Sequence, residues 1–343
     1  MYRIGLDSMK TESIPVDLNL AHFVYAPPQS HGLCYVIEQN GSKVLEVDCR
    51  AMKERRSFTL SKDHLLYGHA VYHRKMNALL LTASDLNDGK DSLHALDLNT
   101  WSIQKSYDLG TRGEIPHDIV LADGEESALV ITLGLAKEDG QRYGGKISML
   151  DLQSGAISRQ WKTDDNHGAP QHFSRWRSKD SIYFTMIRQK KKIPGQSIPA
   201  QLRSTDRDEF FKRTAANFEY ENSSFARLSL TSKSIEYFEP ATPDRRMRRP
   251  LNIFWSEIPS LSRYVVVDHI RDPGVWVWDG GSVLAHRTFE GDLSCACLLA
   301  DNKSVLAITS AGKGYVLEIP SLDVKKEFDT LIPPAPHPLL IGT

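Results

Sequence analysis

The chain has 343 residues, 41% of them apolar and 25% charged, with a formal net charge of -1. These proportions are those of a globular protein, and so even a charge balance excludes a general nucleic-acid binder, whose affinity rests on positive charge. No run approaches the ~18 apolar residues of a membrane-spanning helix, and the opening MYRIGLDSMK has no apolar signal-peptide core, which by itself leads to the expectation of a cytoplasmic protein.

In chain order, Tyr2 to Asp7 and Glu12 to Leu18 read as two short strands around a turn at Ser8 to Lys10. A four-stranded unit then opens at His22 and runs through Gly32 to Glu38, Lys43 to Asp48 and Arg56 to Leu60, with Asn40-Gly41 as its hairpin signal. The second unit opens at His69 and continues with Ala78 to Ala83, Ser92 to Asp97 and Ser102 to Leu109. The third opens at His117, with Ser127 to Thr132, Lys146 to Asp151 and Ala156 to Trp161. In all three the third strand ends in Asp (Asp48, Asp97, Asp151), where a carboxylate accepts backbone N–H groups of its own turn.

The fourth unit opens at His172 and is interrupted after Ser181 to Ile187 by residues 188–222, a polar insertion rich in both charge signs. This reads as a long loop with a helical turn near Asp206 to Ala216. The unit resumes at Phe225 to Leu230 and Ser234 to Phe238. Units five and six open near Asn252 and Cys295, and a last strand begins at His337. With the insertion set aside, the openings recur about every 42 to 55 residues, the period of propeller blades. Seven openings predict an all-β, single-domain, seven-bladed β-propeller over residues 1–343, its ring closed by the N-terminal strands pairing with the strand at His337.

In that fold the first strand of each blade lines a central channel, so the residues at its start converge. They are His22, His69, His117, His172, Asn252, Cys295 and His337. Imidazole suits copper, iron and zinc, and thiolate suits copper(I) and zinc. The candidate metal ligands are therefore His22, His69, His117, His172, Cys295 and His337, of which three or four could share one ion. His73 and His94 read as surface or packing residues, and Asp118, next to His117 on a strand, points to the opposite face and makes a poor ligand. Cys34 stands opposite Val47 when Glu38 pairs with Lys43, so no bridge to Cys49 is expected. Cys295 and Cys297 read as two thiols. The basic runs Lys190 to Lys192 and Arg245 to Arg249 read as solvated loop. No nucleophile elbow, P-loop, dinucleotide fingerprint or haem-attachment motif is present.

The succession Tyr67-Gly68-His69, Ile115-Pro116-His117-Asp118, Gln171-His172-Phe173 and Leu293-Ser294-Cys295 resembles the bacterial family catalogued as domain of unknown function 1513. The resemblance spans nearly the whole chain, although Asp118 stands where that family tends to have glutamate and Gln171 where it tends to have arginine. It implies a seven-bladed propeller exported to the periplasm, encoded beside imelysin-type iron-uptake proteins and di-haem peroxidase-like proteins, which are the partners it suggests. The family's recurring residues fall on His22, His69, His117, His172 and Cys295, with a weaker match at His337. The family supplies no activity.

The expected function is thus a non-enzymatic, monomeric propeller that binds a transition metal (iron or copper, with zinc as a further occupant) or a metal-bearing ligand at the channel mouth, in metal uptake. Two rivals are a protein-interaction scaffold whose histidines are structural, and a metal-dependent redox enzyme. The second rests on fold analogy alone.

Overall fold

The computed structural model describes all residues except 1, 5–10, 17, 19–20, 26–31, 137–141, 178–179, 192–217, 221–223, 240, 243–244, 247–249, 259–260, 269–273, 280, 292, 300, 302, 310 and 331–343. In the strands Tyr2–Ile4, Ala21–Tyr25, Gln189–Lys191, Phe218–Tyr220, Ala241–Thr242, Arg245–Arg246, Pro250–Ile258 and Leu261–Asp268, and at residues 11, 123, 175–177, 294 and 295, only the backbone is described. The architecture is all-β and antiparallel, in agreement with the all-β class read from the sequence.

Among the described residues, six four-stranded meanders follow one another. Sheet one comprises Ala21–Tyr25, Leu33–Gly41, Lys43–Asp48 and Lys53–Thr59. Sheet two comprises His64–His73, Ala78–Asp85, Lys90–Asp97 and Ile103–Arg112. Sheet three runs from Pro116–Ala122 through Ser127–Thr132 and Lys146–Asp151 to Ile157–Lys162. Sheet four is Ala169–Arg177, Ser181–Ile187, Ser224–Ser229 and Ile235–Phe238. Sheet five is Pro250–Ile258, Leu261–Asp268, Gly274–Trp278 and Val283–Thr288. Sheet six is Leu293–Leu298, Ser304–Thr309, Lys313–Glu318 and Val324–Asp329. Tyr2–Ile4 pairs with Thr11–Ser13 as a separate ribbon. The strand expected at His337, and the helical turn expected near Asp206 to Ala216, lie outside the described residues. The insertion begins as a ribbon in which Gln189–Lys191 pairs with Phe218–Tyr220.

By its contacts the chain divides into two compact units: unit 1 is residues 1–16, 172–186 and 222–343, and unit 2 is residues 17–171 and 187–221. Unit 2 shows how the sequence builds its core. A strand's side chains alternate between faces, and the second strand of sheet two, ALLLTASD, is buried along nearly its whole length. Leu79 and Leu81 pack with Tyr35, Ile37 and Val44 of sheet one. Ala78 and Leu80 pack with Ile119, Ala128 and Val130 of sheet three. A strand covered on both faces needs an unbroken apolar run, whereas the outer strand Ile103–Arg112 alternates buried and exposed residues. Unit 1 repeats the scheme, Val275 and Val277 of sheet five packing with Ala296, Val305 and Ala307 of sheet six.

Sheets one and two are also joined edge to edge. Leu33–Gly41 outruns its partner Ala21–Tyr25, and its free end pairs with the next sheet at Gln39–Tyr67 and Gly41–Leu66. Across this junction Arg56 forks onto the buried Glu46 carboxylate at 3.0 and 2.9 Å, donates to the Leu98 carbonyl at 2.9 Å and lies 4.5 Å over the Trp101 ring.

The turns follow the expected chemistry. Asp48 accepts from the N–H groups of Arg50 and Ala51, Asp97 from Asn99 and Thr100, and Asp151 from Ser154. These hydrogen bonds to the charged form hold all three carboxyls below the ordinary range.

One expectation fails. Cys34 and Cys49 form a disulfide, with Cα atoms 6.6 Å apart. The register is the expected one, Cys34 opposite Val47. But Lys43–Asp48 ends before Cys49, whose N–H turns back to the Gly32 carbonyl at 2.7 Å. Freed from the pleat, Cys49 reaches diagonally across the hairpin end, within the span a disulfide bridges. Closing a loop of this length contributes about 3 kcal/mol in the chain-entropy account. Cys297 is a free, buried thiol, pushed by burial up to about 12 and so unreactive.

Candidate metal centre

The first strands of sheets one, two and three carry an irregularity at the position the repeat singles out. In sheet three Pro116 pairs with Thr132 and Asp118 with Ile131, leaving His117 as an inserted residue. In sheet two Leu66 pairs with Ala83 and Ala70 with Leu81, so Tyr67, Gly68 and His69 stand against Thr82 alone. Gly68 takes a φ of 86° within that bulge, a conformation open to residues without a Cβ. Sheet one has the same device, His22 lying between the pairs Ala21–Glu38 and Phe23–Ile37. A bulge re-aims side chains that regular pleating would send to opposite faces.

This explains why Asp118 is not where strand alternation puts it. Its Oδ1 lies 3.2 Å from Nδ1 of His69 and also accepts the Ile119 N–H at 2.8 Å. The rings of His69 and His117 meet edge to face with centroids 4.7 Å apart. His69 and Asp118 are 1% and 0% exposed, and His117 is 7% exposed. Far from facing away from the histidines, Asp118 is the carboxylate beside them. A carboxylate at Nδ1 favours the tautomer protonated there, the arrangement that makes Nε2 the ligand atom of metal-binding imidazoles.

His172, on Ala169–Arg177, is buried, and its backbone N–H donates to Oγ1 of Thr185 at 3.1 Å. It belongs to unit 1. His69 and His117 each offer one ring nitrogen, and these atoms lie within 4.8 Å of each other. Two ligands on one ion with bonds of about 2.0–2.1 Å are at most about 4.2 Å apart, so small ring rotations suffice to bring the two onto one ion.

The electrostatics favour the neutral form that a ligand must have. Burial, opposed by Asp118 and reinforced by the Arg142 guanidinium, pushes the His117 imidazole down to about 4. Arg142 reaches this end of the unit through a short hairpin, Leu135–Ala136 paired with Arg142–Tyr143. Its Nη1 donates to the Gly134 carbonyl at 2.8 Å. Gly134 has a φ of 82°, and any Cβ there would collide with the Tyr143 carbonyl, which fixes glycine at the hairpin's base. Tyr67 lies close enough to feel the same guanidinium and donates to Oγ of Ser84 at 3.0 Å. Ser84 in turn donates to the fully buried Asp91, whose other oxygen accepts from Thr111 and from the Glu114 N–H.

Of the six residues picked out by the repeat, the structure brings His69 and His117 together, and His172 belongs to unit 1. The side chains of His22 and Cys295, and all of His337, lie outside the described residues. Backbone register still bears on Cys295. In sheet six the inserted residue is Ser294, between the pairs Leu293–Thr309 and Cys295–Ile308, and in sheet five it is Leu251. Cys295 and Asn252 thus match Asp118 in register, one place beyond His117. His73 and His94 pack as expected of non-ligands. His73 accepts the Met76 N–H at Nδ1 and donates from Nε2 to the Glu125 carbonyl at 2.7 Å. Asp118, Tyr67 and Arg142 are the members that sequence reasoning missed. Only the adjacency of Asp118 to His117 signalled any of them.

No curated protein matches the chain. A family description does, over residues 19–219, more than half of the sequence and the part that carries His69, His117 and His172. The chain belongs to the family described as "Protein of unknown function (DUF1513)".

Proposed function

We propose that this protein binds a transition metal through His69 and His117, and that it holds or passes on the ion in metal uptake without turnover of its own. The observation that carries this reading is the buried contact of His69 with His117, with Asp118 3.2 Å from the His69 Nδ1 and His117 kept neutral. Buried imidazoles that are neutral at pH 7 and backed by a carboxylate are a donor set for copper, iron or zinc. In the same reading the six meanders are blades of a seven-bladed propeller, the seventh completed from the Tyr2–Ser13 ribbon and the chain's last strand. The Cys34–Cys49 disulfide supports an oxidising compartment such as the periplasm, since cytosolic thiols are kept reduced.

Elemental analysis of protein purified without a histidine tag or chelator tests the metal reading. About one equivalent of copper, iron or zinc is expected, and its removal should lower the melting temperature because an ion that binds only the folded state stabilises it. Protein that stays metal-free after incubation with each ion, with no thermal shift, would return the histidines to a structural role.

A further inference from the structure

The second strands of sheets two, three, four and six share one register, their first residues Ala78, Ser127, Ser181 and Ser304 each pairing with the last residue of the third strand. Their fifth residues are therefore equivalent. In sheets three and six these are Ile131 and Ile308, both buried. In sheet four it is Thr185, whose Oγ1 accepts the His172 N–H at 3.1 Å. In sheet two it is Thr82, 0% exposed, and its hydroxyl meets no hydrogen-bond partner among the described residues. The fold thus accepts a plain branched side chain at this place, and a buried hydroxyl left without a partner is destabilising. Thr82 carries a polar group that its own sheet does not use.

The register also fixes where that hydroxyl lies. Ala78–Asp85 pairs with Lys90–Asp97 without a break from Ala78 to Ser84, so its side chains alternate regularly. Leu79, Leu81 and Ala83 pack with sheet one, whereas Ala78 and Leu80 pack with sheet three. Thr82 therefore faces sheet three. His69 faces the same way, since its ring meets His117 of sheet three. The two are also neighbours across the strands, because Tyr67, Gly68 and His69 stand against Thr82 alone. The other polar groups on this face are committed: Tyr67 donates to Ser84, Ser84 to Asp91, and Asp118 serves the His69 Nδ1 and the Ile119 N–H.

We propose that the Thr82 hydroxyl holds a water molecule that is a further ligand of the metal bound by His69 and His117. An ion such as zinc takes four ligands, and the two imidazoles fill two positions. A water bound to the ion has polarised O–H groups that need an acceptor in a buried site. The threonine oxygen accepts such a hydrogen bond, and its own hydrogen remains free to turn toward a second oxygen. Thr82 is then a positioning residue, acting on the metal through the water. This inference rests on the metal reading, and the experiment separates the two.

Metal-stripped parent, Thr82→Val and Thr82→Ser are titrated with zinc, and their copper(II) forms are compared by electron–nuclear double resonance in H2O and D2O. Thr82→Val keeps the shape and removes the hydroxyl. It should bind zinc about 10-fold or more weakly, as for other groups that orient a metal's ligands, while melting at or above the parent when metal-free. Thr82→Ser should recover most of the affinity. The parent and the Ser variant should show exchangeable-proton couplings from copper-bound water, and the Val variant should lose or alter them. The assignment is refuted, with the metal site left standing, by a Val variant that matches the parent in affinity or in proton couplings. It is equally refuted by equal losses in both variants, or by a parent without exchangeable-proton couplings. A metal-free Val variant that misfolds or melts several degrees below the parent shows that the hydroxyl serves the fold, and also refutes it. A parent that takes up neither zinc nor copper overturns the metal reading and this assignment together.

Discussion

Two buried histidines of unit 2, His94 and His117, are both pushed down to about 4, with burial the largest cause in each case. Their surroundings differ. His94 sits on Lys90–Asp97 with Nε2 at 2.9 Å from Oγ of Ser92 and Nδ1 at 2.8 Å from Oγ of Ser106, so hydroxyls of its own sheet engage both nitrogens. His117 sits on a bulge, against a second imidazole, with a carboxylate and a guanidinium acting on it. A depressed pKa therefore does not distinguish a packing histidine from a ligand. What distinguishes them is whether the partners belong to the strand ladder or to side chains gathered from different sheets.

The sharpest way to break this comparison is to remove each ring. His117→Ala should abolish metal binding and the thermal shift it brings, whereas His94→Ala should bind metal as the parent does. His94→Ala should instead lose stability, on the order of 1–3 kcal/mol, because the buried Ser92 hydroxyl loses its partner and the ring leaves a void. Equal loss of metal in both variants, read by elemental analysis, would erase the distinction.

Stability against pH should show what the two histidines share. Each is neutral in the folded protein down to about pH 4, while an unfolded chain protonates near the ordinary 6.5. Between those values the unfolded state binds more protons, so stability is fully present above about pH 6.5 and is lost as pH falls toward 4, by on the order of 3 kcal/mol per histidine. Denaturant unfolding of metal-free protein from pH 7 to 4 should give this slope. His94→Gln and His117→Gln should each flatten it by about one proton, and an unchanged slope in either would mean that its ring is already charged in the folded state.

A smaller effect is expected from Asp118→Asn. The amide keeps the size of the carboxylate but not its charge beside His69, and metal affinity should fall about 10- to 100-fold, as for other carboxylates behind a ligating imidazole. The same change at Asp97, whose carboxylate serves only its own turn, should leave affinity unchanged in an isothermal titration.

The sequence alone determined the sheets. Apolar runs such as ALLLTAS and SALVIT are buried on both faces, and turns marked by Asp48, Asp97 and Asp151 separate strands at a repeating spacing, so period and boundaries were legible within a few residues. It also placed His69, His117 and His172 at equivalent starts of their strands. Tertiary structure alone decided what stands around them. The reading by strand alternation turned Asp118 away and kept Cys34 from Cys49, because alternation holds only while the ladder is regular. A bulge at His117 and the strand end before Cys49 each broke it. Arg142 comes to the site on a separate hairpin from 25 residues downstream of His117, a placement set by Gly134 and the Tyr143 carbonyl that no local pattern encodes. Periodicity is a local property and can be read along the chain. The meeting of side chains from different sheets depends on where that periodicity fails.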